Sequence, residues 1–170
     1  MTTSRRGLFG LVSLAAAGLG ARAASAAPAK LDMAGVRKDT DVACLYHADF
    51  GDPARFSQML NNINNHYAVY EGDPFKLKLV VVAHSAAIKF FLSDLSGTPW
   101  EKETIDPEIW KRFVGLTKQG LEAYLCEITY RRLNVDPAKT RSEGFLKFVP
   151  SGVATVAELQ GKGFAYLKVG

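Results

Sequence analysis

Five short apolar runs, each separated from the next by a stretch of helical character, constrain this chain more than any other feature. Val42-Ala43-Cys44-Leu45-Tyr46 runs up to His47, Leu77–Ala83 up to His84, and Leu121–Leu125 up to Cys126; Leu146–Val149 and Phe164–Lys168 complete the set. Runs of this length, apolar at successive positions and rich in Val, Leu and aromatic residues, suit strands covered on both faces. Strands that alternate with helices predict a parallel sheet with helices packed on it. The chain is therefore expected to form one doubly wound α/β domain: a mostly parallel, five-stranded sheet with helices on both faces.

The intervening segments carry their own signals. Asp52-Pro53 places an N-cap before a first-turn proline, and Phe56, Met59, Leu60, Ile63, Tyr67 and Tyr70 follow at spacings of three and four, which is one face of a helix. A short helix is expected from Ala86 to Leu92 and a polar loop over 93–106. A second long helix runs from Pro107 to Gly120 and carries Ile109, Trp110, Phe113, Val114 and Leu116. After Cys126 a short helical stretch reaches Leu133, and a polar loop or helical turn covers 134–145. Ser151 caps a last helix over 153–160.

The N-terminal 26 residues read as an address. Arg5-Arg6 precede a weakly apolar Ala- and Gly-rich run, and Ala24-Ser25-Ala26 has the small-residue pattern of a cleavage site. The adjacent arginines resemble a twin-arginine (Tat) signal, and the run is ended too early by Arg22 to span a bilayer. The expected organisation is a signal peptide over 1–26, a flexible arm over 27–40 and the α/β domain over 41–170, with the mature protein in the periplasm and without a stable membrane anchor. This division changes the meaning of the charge. The whole chain carries +4, but Arg5, Arg6 and Arg22 all lie in the first 26 positions, which hold no acid. The remainder carries 18 basic against 17 acidic residues. That balance offers no electrostatic footprint for nucleic acid.

Open parallel sheets bind ligands beyond the carboxyl ends of their strands, and three of the predicted strands end in His47, His84 and Cys126. A cysteine between a strand and a helix, with Arg131 and Arg132 nearby, is placed where a thiolate is favoured, and the thiolate is the form that attacks sulfur. The opposing reading is an inert buried thiol, and that reading is preferred for Cys44 in mid-strand. The fourth strand turns through Pro150-Ser151-Gly152 into a helix, which adds backbone N–H groups near the same edge. His47, His84 and Cys126 also form a set suited to a soft metal such as copper or zinc, although their spacing matches no metal motif. His66, amid Asn61, Asn62, Asn64 and Asn65, reads as a solvated or helix-end residue. No phosphate-binding glycine loop, no Cys-x-x-Cys and no G-x-S-x-G occurs, so no nucleotide cofactor, dithiol or hydrolase triad is expected.

Several segments together resemble the DsrE/DsrF-like sulfur-relay family: Leu60-Asn61-Asn62-Ile63-Asn64-Asn65, Val80-Val81-Val82-Ala83-His84, Leu125-Cys126-Glu127-Ile128-Thr129, Val149-Pro150-Ser151-Gly152-Val153-Ala154 and Gln160-Gly161-Lys162-Gly163-Phe164-Ala165-Tyr166. The resemblance spans roughly residues 41–168 and implies a flavodoxin-like or Rossmann-like fold and a homo-oligomer, trimeric or hexameric. It implies a sulfurtransferase-like carrier on which Cys126 holds sulfur as a persulfide, with His84 at a family His or polar position. His47, Ser151 and Gly152 are then candidates for holding the substrate, and the partners are a sulfur donor and a thiol acceptor. The alternative expectation is a non-enzymatic module binding a soft metal or small anion at His47, His84 and Cys126.

Overall fold

The structure, a computed structural model, describes residues 27–170; the twin-arginine segment and its cleavage site lie outside the described residues. Six strands form one sheet: β1 (Ala29–Lys30), β2 (Val42–Ala48), β3 (Leu77–Ala83), β4 (Glu122–Cys126), β5 (Leu146–Val149) and β6 (Ala165–Lys168), in the order β1-β5-β4-β3-β2-β6. Every pairing is parallel. The α/β class is as expected, but the sheet has a sixth strand. It comes from the segment read as an arm: Ala29 and Lys30 pair with Lys147 and Phe148, and Leu31 N–H donates to Phe148 O at 2.8 Å. Val36, farther along the same segment, is buried.

Four α-helices connect the strands: α1 (Pro53–Val69), α2 (Pro107–Thr117), α3 (Glu127–Arg132) and α4 (Gly152–Gly161). Asp52 caps α1 as its sequence implies, its carboxylate accepting from Arg55 N–H, and Ser151 caps α4 by accepting from Ala154 N–H at 3.3 Å. The segment after β3 forms a 3₁₀ helix over Ser85–Phe91 in place of the expected ordinary short helix. Ser85 enters it with φ of 52°, and Ala87 N–H closes a tight turn onto His84 O. Five of its seven residues, Ala87 to Phe91, are buried, so tertiary packing sets its pitch.

Strand alternation sorts the side chains into two layers. Tyr46, Leu79, Val81, Ala83, Ala123 and Leu125 face the larger core, with Phe56, Met59, Leu60 and Ile63 of α1 and Ile109, Phe113 and Leu116 of α2. Ala43, Leu45, Val80, Val82 and Tyr124 face a thinner layer closed by Leu159 of α4, with Val36 and Phe164. Each fully buried Val or Leu here contributes roughly 1.5–3 kcal/mol.

The uneven layers follow from the strand order. From β2 to β5 the chain steps steadily in one direction, and the intervening helices lie on the larger-core side. From β5 it returns across the sheet to β6, beside β2. Right-handed crossovers put opposite steps on opposite faces, so α4 lies on the other side. The chain therefore leaves β4 toward one face and β5 toward the other. The crevice between neighbouring strands whose connections diverge is where such sheets bind ligands.

Candidate functional site

Continuing the inner alternation of β2, β3 and β4 by one step places His47, His84 and Cys126 on the α4 side of the sheet. The register makes His84 and Cys126 level, since Ala83 pairs with Leu125, while Cys126 pairs with Val149. His47 does not end its strand, as the sequence suggested, but lies one residue inside it, because β2 continues to Ala48. Cys126 is the last residue of β4 and the N-cap of α3. It thus stands at the β4/β5 crevice.

Gly152 explains how α4 reaches this edge. A Cβ at this position would lie 3.0 Å from both Cβ and Cδ2 of His84 and 3.2 Å from Cβ of Cys126. Only a residue without a side chain lets the first turn of the helix rest on both. Gly152 is buried, so its part is close packing, whereas Ser151 borders the open space in front of Cys126.

That space is a cavity of about 640 Å³. His84, Ser85, Cys126, Thr129, Arg132 and Ser151 supply its polar or reactive groups, and Trp100, Ile128, Leu133 and Val153 are among its apolar ones. Cys126 is itself only 4% exposed, so its thiol is reached through the cavity and not from the open surface. Arg132 lines this cavity, whereas Arg131 lines a second one. The second hollow, about 690 Å³, lies along β1 and α3 and is walled by Lys30, Glu127, Tyr130 and Phe148 among others, with no cysteine or histidine in its lining.

The histidines form a chain that the sequence did not disclose. His47 Nε2 and His84 Nε2 are 2.7 Å apart, His47 Nδ1 is 3.0 Å from the Tyr166 hydroxyl, and His84 Nδ1 is 2.9 Å from Ser85 Oγ. At 2.7 Å one Nε2 must donate and the other accept, so the pair shares a single proton along that line. Two tautomeric arrangements satisfy the whole row. In one, Tyr166 donates to His47, His47 to His84 and His84 to Ser85; in the other, every donor and acceptor is reversed. Burial, and secondarily the neighbouring His47, hold His84 below the ordinary histidine pKa, with Asp49 opposing. Both His84 nitrogens are thus engaged, and its imidazole makes no hydrogen bond to Cys126. Ser85 lines the cavity beside His84, and its own N–H donates to Thr129 Oγ1 at 3.0 Å.

This geometry corrects the metal expectation. The Nε2 atoms of His47 and His84 face one another, and among the described residues no group of three or more His, Cys, Asp or Glu is assembled to hold a metal ion. Cys44 and Cys126 are both free thiols, and burial pushes the Cys44 thiol up. His66 is partly covered, bonded to the Tyr46 hydroxyl at 3.2 Å and held below its usual pKa by burial.

Arg132 was marked beforehand with Arg131 and only Arg132 reaches this cavity, whereas Trp100, Ser85 and the contact of Tyr166 were not marked. Trp100 lies in the 93–106 loop and lacks a periodic signal. Tyr166 stood within the family-like closing segment, but only strand order brings β6 beside β2, where Tyr166 pairs with Leu45, two residues before His47.

A model of the DsrE/DsrF-like family matches residues 42–169. The chain belongs to this family. The match covers the sheet from β2 to β6 and every residue of the site, and the family is generally linked to sulfur relay. A solved structure of a protein of unknown function from Methanobacterium thermoautotrophicum is similar in fold, with a TM-score of 0.58 and 23% identity over 75% of this chain and 99% of that one. The ychN protein of E. coli aligns with a TM-score of 0.43 and 17% identity over 76% of this chain and 98% of that one. No curated protein matches. No helix among the described residues is long and apolar enough to cross a membrane.

Proposed function

We propose that the protein is a sulfur carrier that accepts sulfane sulfur on Cys126 as a persulfide and passes it to a thiol acceptor. The observation that carries this reading is the position of Cys126. It is the one cysteine at the β4/β5 crevice, it borders a cavity with polar and cationic groups, and α4 is fitted against it through a glycine. An attacking sulfur must be a thiolate. Arg132 is the cation in the same lining, and Ser85 joins the cavity to the shared proton of the histidine pair. His84, which borders the cavity beside Ser85, and His47 behind it act as a local store and acceptor of a proton. Ser151 adds a hydroxyl at the cavity wall.

The site of action is outside the cytoplasm, after export by the twin-arginine route, and the working form is a homo-oligomer. Arg5-Arg6 and the Ala24-Ser25-Ala26 pattern support the first statement, and family membership supports the second.

Intact-mass measurement tests the central claim. After exposure to polysulfide or thiosulfate, the native protein is expected to gain the mass of one sulfur, removable by a thiol reductant, and Cys126→Ser is expected to gain none. An equal adduct on Cys126→Ser, or no adduct on the native chain, would refute the carrier.

A further inference from the structure

We propose that the sulfur donor seated in the Cys126 cavity is a low-molecular-weight organic persulfide bearing a carboxylate, with that carboxylate held by Arg132. The proposal rests on the persulfide reading of Cys126 and adds the chemical class of its substrate.

Three observations carry it. The first is size: about 640 Å³ is within the range of roughly 300–1,000 Å³ that takes whole organic ligands. An inorganic thio-anion of a few heavy atoms would leave most of it unfilled. The second is the lining. Pro99, Trp100, Ile128, Leu133 and Val153 form apolar walls that a bare anion cannot use. Arg132 is the one formal charge among the lining residues, no carboxylate is among them, and none of the ion pairs among the described residues involves Arg132. An unpaired guanidinium at the wall of a largely apolar cavity fits a carboxylate on an organic body.

The third observation separates a small donor from a protein donor. A protein interface needs a well-packed apolar centre around the point of contact. Of the exposed large hydrophobic residues Val69, Phe75, Val153 and Tyr166, only Val153 borders this cavity. Ile128 and Leu133 beside it are half-buried, so their apolar surface lines the hollow, and Val153 is the one large hydrophobic side chain standing out at its mouth.

The transfer balances without a further oxidant. The Cys126 thiolate attacks the terminal sulfur of R–S–S–H, and a bond forms between Cys126 Sγ and that sulfur. The S–S bond of the donor breaks, and R–S⁻ leaves with the electron pair. The leaving thiolate takes up the proton given up by the Cys126 thiol, so the products are Cys126–S–S–H and R–SH.

The test compares three donors on the native protein: glutathione persulfide, the uncharged hydroxyethyl persulfide, and inorganic polysulfide, with a persulfidated single-cysteine protein as a fourth arm. Loading of Cys126 is followed by intact mass over time. Glutathione persulfide is expected to load fastest and to saturate. In Arg132→Gln its half-saturating concentration should rise about ten-fold, as expected for loss of a charge-assisted bond, with partial recovery in Arg132→Lys. Loading by hydroxyethyl persulfide should not change. Equal, unsaturable loading by polysulfide and glutathione persulfide, or faster loading by the persulfidated protein, would overturn the proposal while leaving the carrier intact. Absence of an adduct from every donor would overturn the carrier reading and this proposal with it. The comparison among donors on the native chain decides even if a variant fails to fold.

Discussion

At His84 both ring nitrogens are taken, by His47 and by Ser85, and this sharing fixes how the site responds to acid. A second proton on the pair would break the 2.7 Å contact. Burial, then His47, hold His84 below its ordinary value, and burial does the same for His66. In the unfolded chain both histidines take up protons as pH falls through about 6.5. The folded chain resists, so the unfolded state binds more protons and stability falls with falling pH. The loss begins near 6.5 and levels off below the depressed folded values. Carboxylates held low by ion pairs, such as Asp94 beside Lys139, act only in a more acidic window. The urea midpoint is therefore expected to drop between pH 7 and pH 5, and His84→Asn should show a shallower slope over that interval; identical slopes would remove His84 from this account. Much of this residue-level picture was readable beforehand. His47, His84 and Cys126 were marked by ending apolar runs, and Gly152 and Ser151 by the turn after β5. The partner of each histidine was not readable, because a hydrogen bond between residues 119 positions apart leaves no periodic trace.

The elements that shape the cavity differ in how they are held. The strands and α4 are fixed by the sheet and its two cores, whereas the 93–106 loop that supplies Pro99 and Trp100 joins the larger core through Trp100, Leu95 and Ile105 and adds polar ties to that packing. Lys139 Nζ is 2.7 Å from Asp94 Oδ2, and Lys89, itself only 4% exposed, is ion-paired with Glu103. Lys89 belongs to the 3₁₀ helix that begins at Ser85, so this pair joins two walls of the cavity. Removing one partner leaves a buried ammonium without its countercharge, the expensive way to break such a pair. Glu103 is 44% exposed, and solvent screens part of the effect. Glu103→Gln is expected to lower unfolding free energy by about 1–3 kcal/mol and to shift Trp100 emission toward that of an exposed indole. The double variant Lys89→Met with Glu103→Gln should recover most of the loss. Unchanged stability and emission in the single variant would show that the loop is held otherwise. The sequence marked 93–106 as polar loop on composition, and that same composition concealed its role. A wall built by one tryptophan and one proline has no repeat to detect, and Lys89 among Ile88, Phe90 and Phe91 gives no sign of being the buried member of a pair.

For the whole molecule, alternating strands and helices sufficed to establish the α/β class, since apolar runs covered on both faces have few other homes. Strand order was not contained in that pattern, and with it went the location of the crevice. Only the return of β6 to the side of β2 makes the connections diverge between β4 and β5. The edge of the sheet was missed for a different reason. A strand of two residues is shorter than any period, and the segment around it is polar. Yet β1 covers the outer edge of β5, whose inner neighbour is β4, the strand that ends in Cys126. An uncovered edge would leave β5 with unpaired backbone groups. Leu31 contributes twice, through its N–H to Phe148 O and through its partly buried side chain against the thinner core. Leu31→Ala removes the packing alone, whereas Leu31→Pro also removes the donor. The proline variant is expected to be less stable than the alanine variant by about 1–3 kcal/mol in urea unfolding. Hydrogen exchange at the amides of β5 should quicken in the proline variant while those of β3 stay protected. Equal stability and equal exchange in the two variants would mean that β1 does not hold this edge, and that β5 keeps its place beside Cys126 through β4 alone.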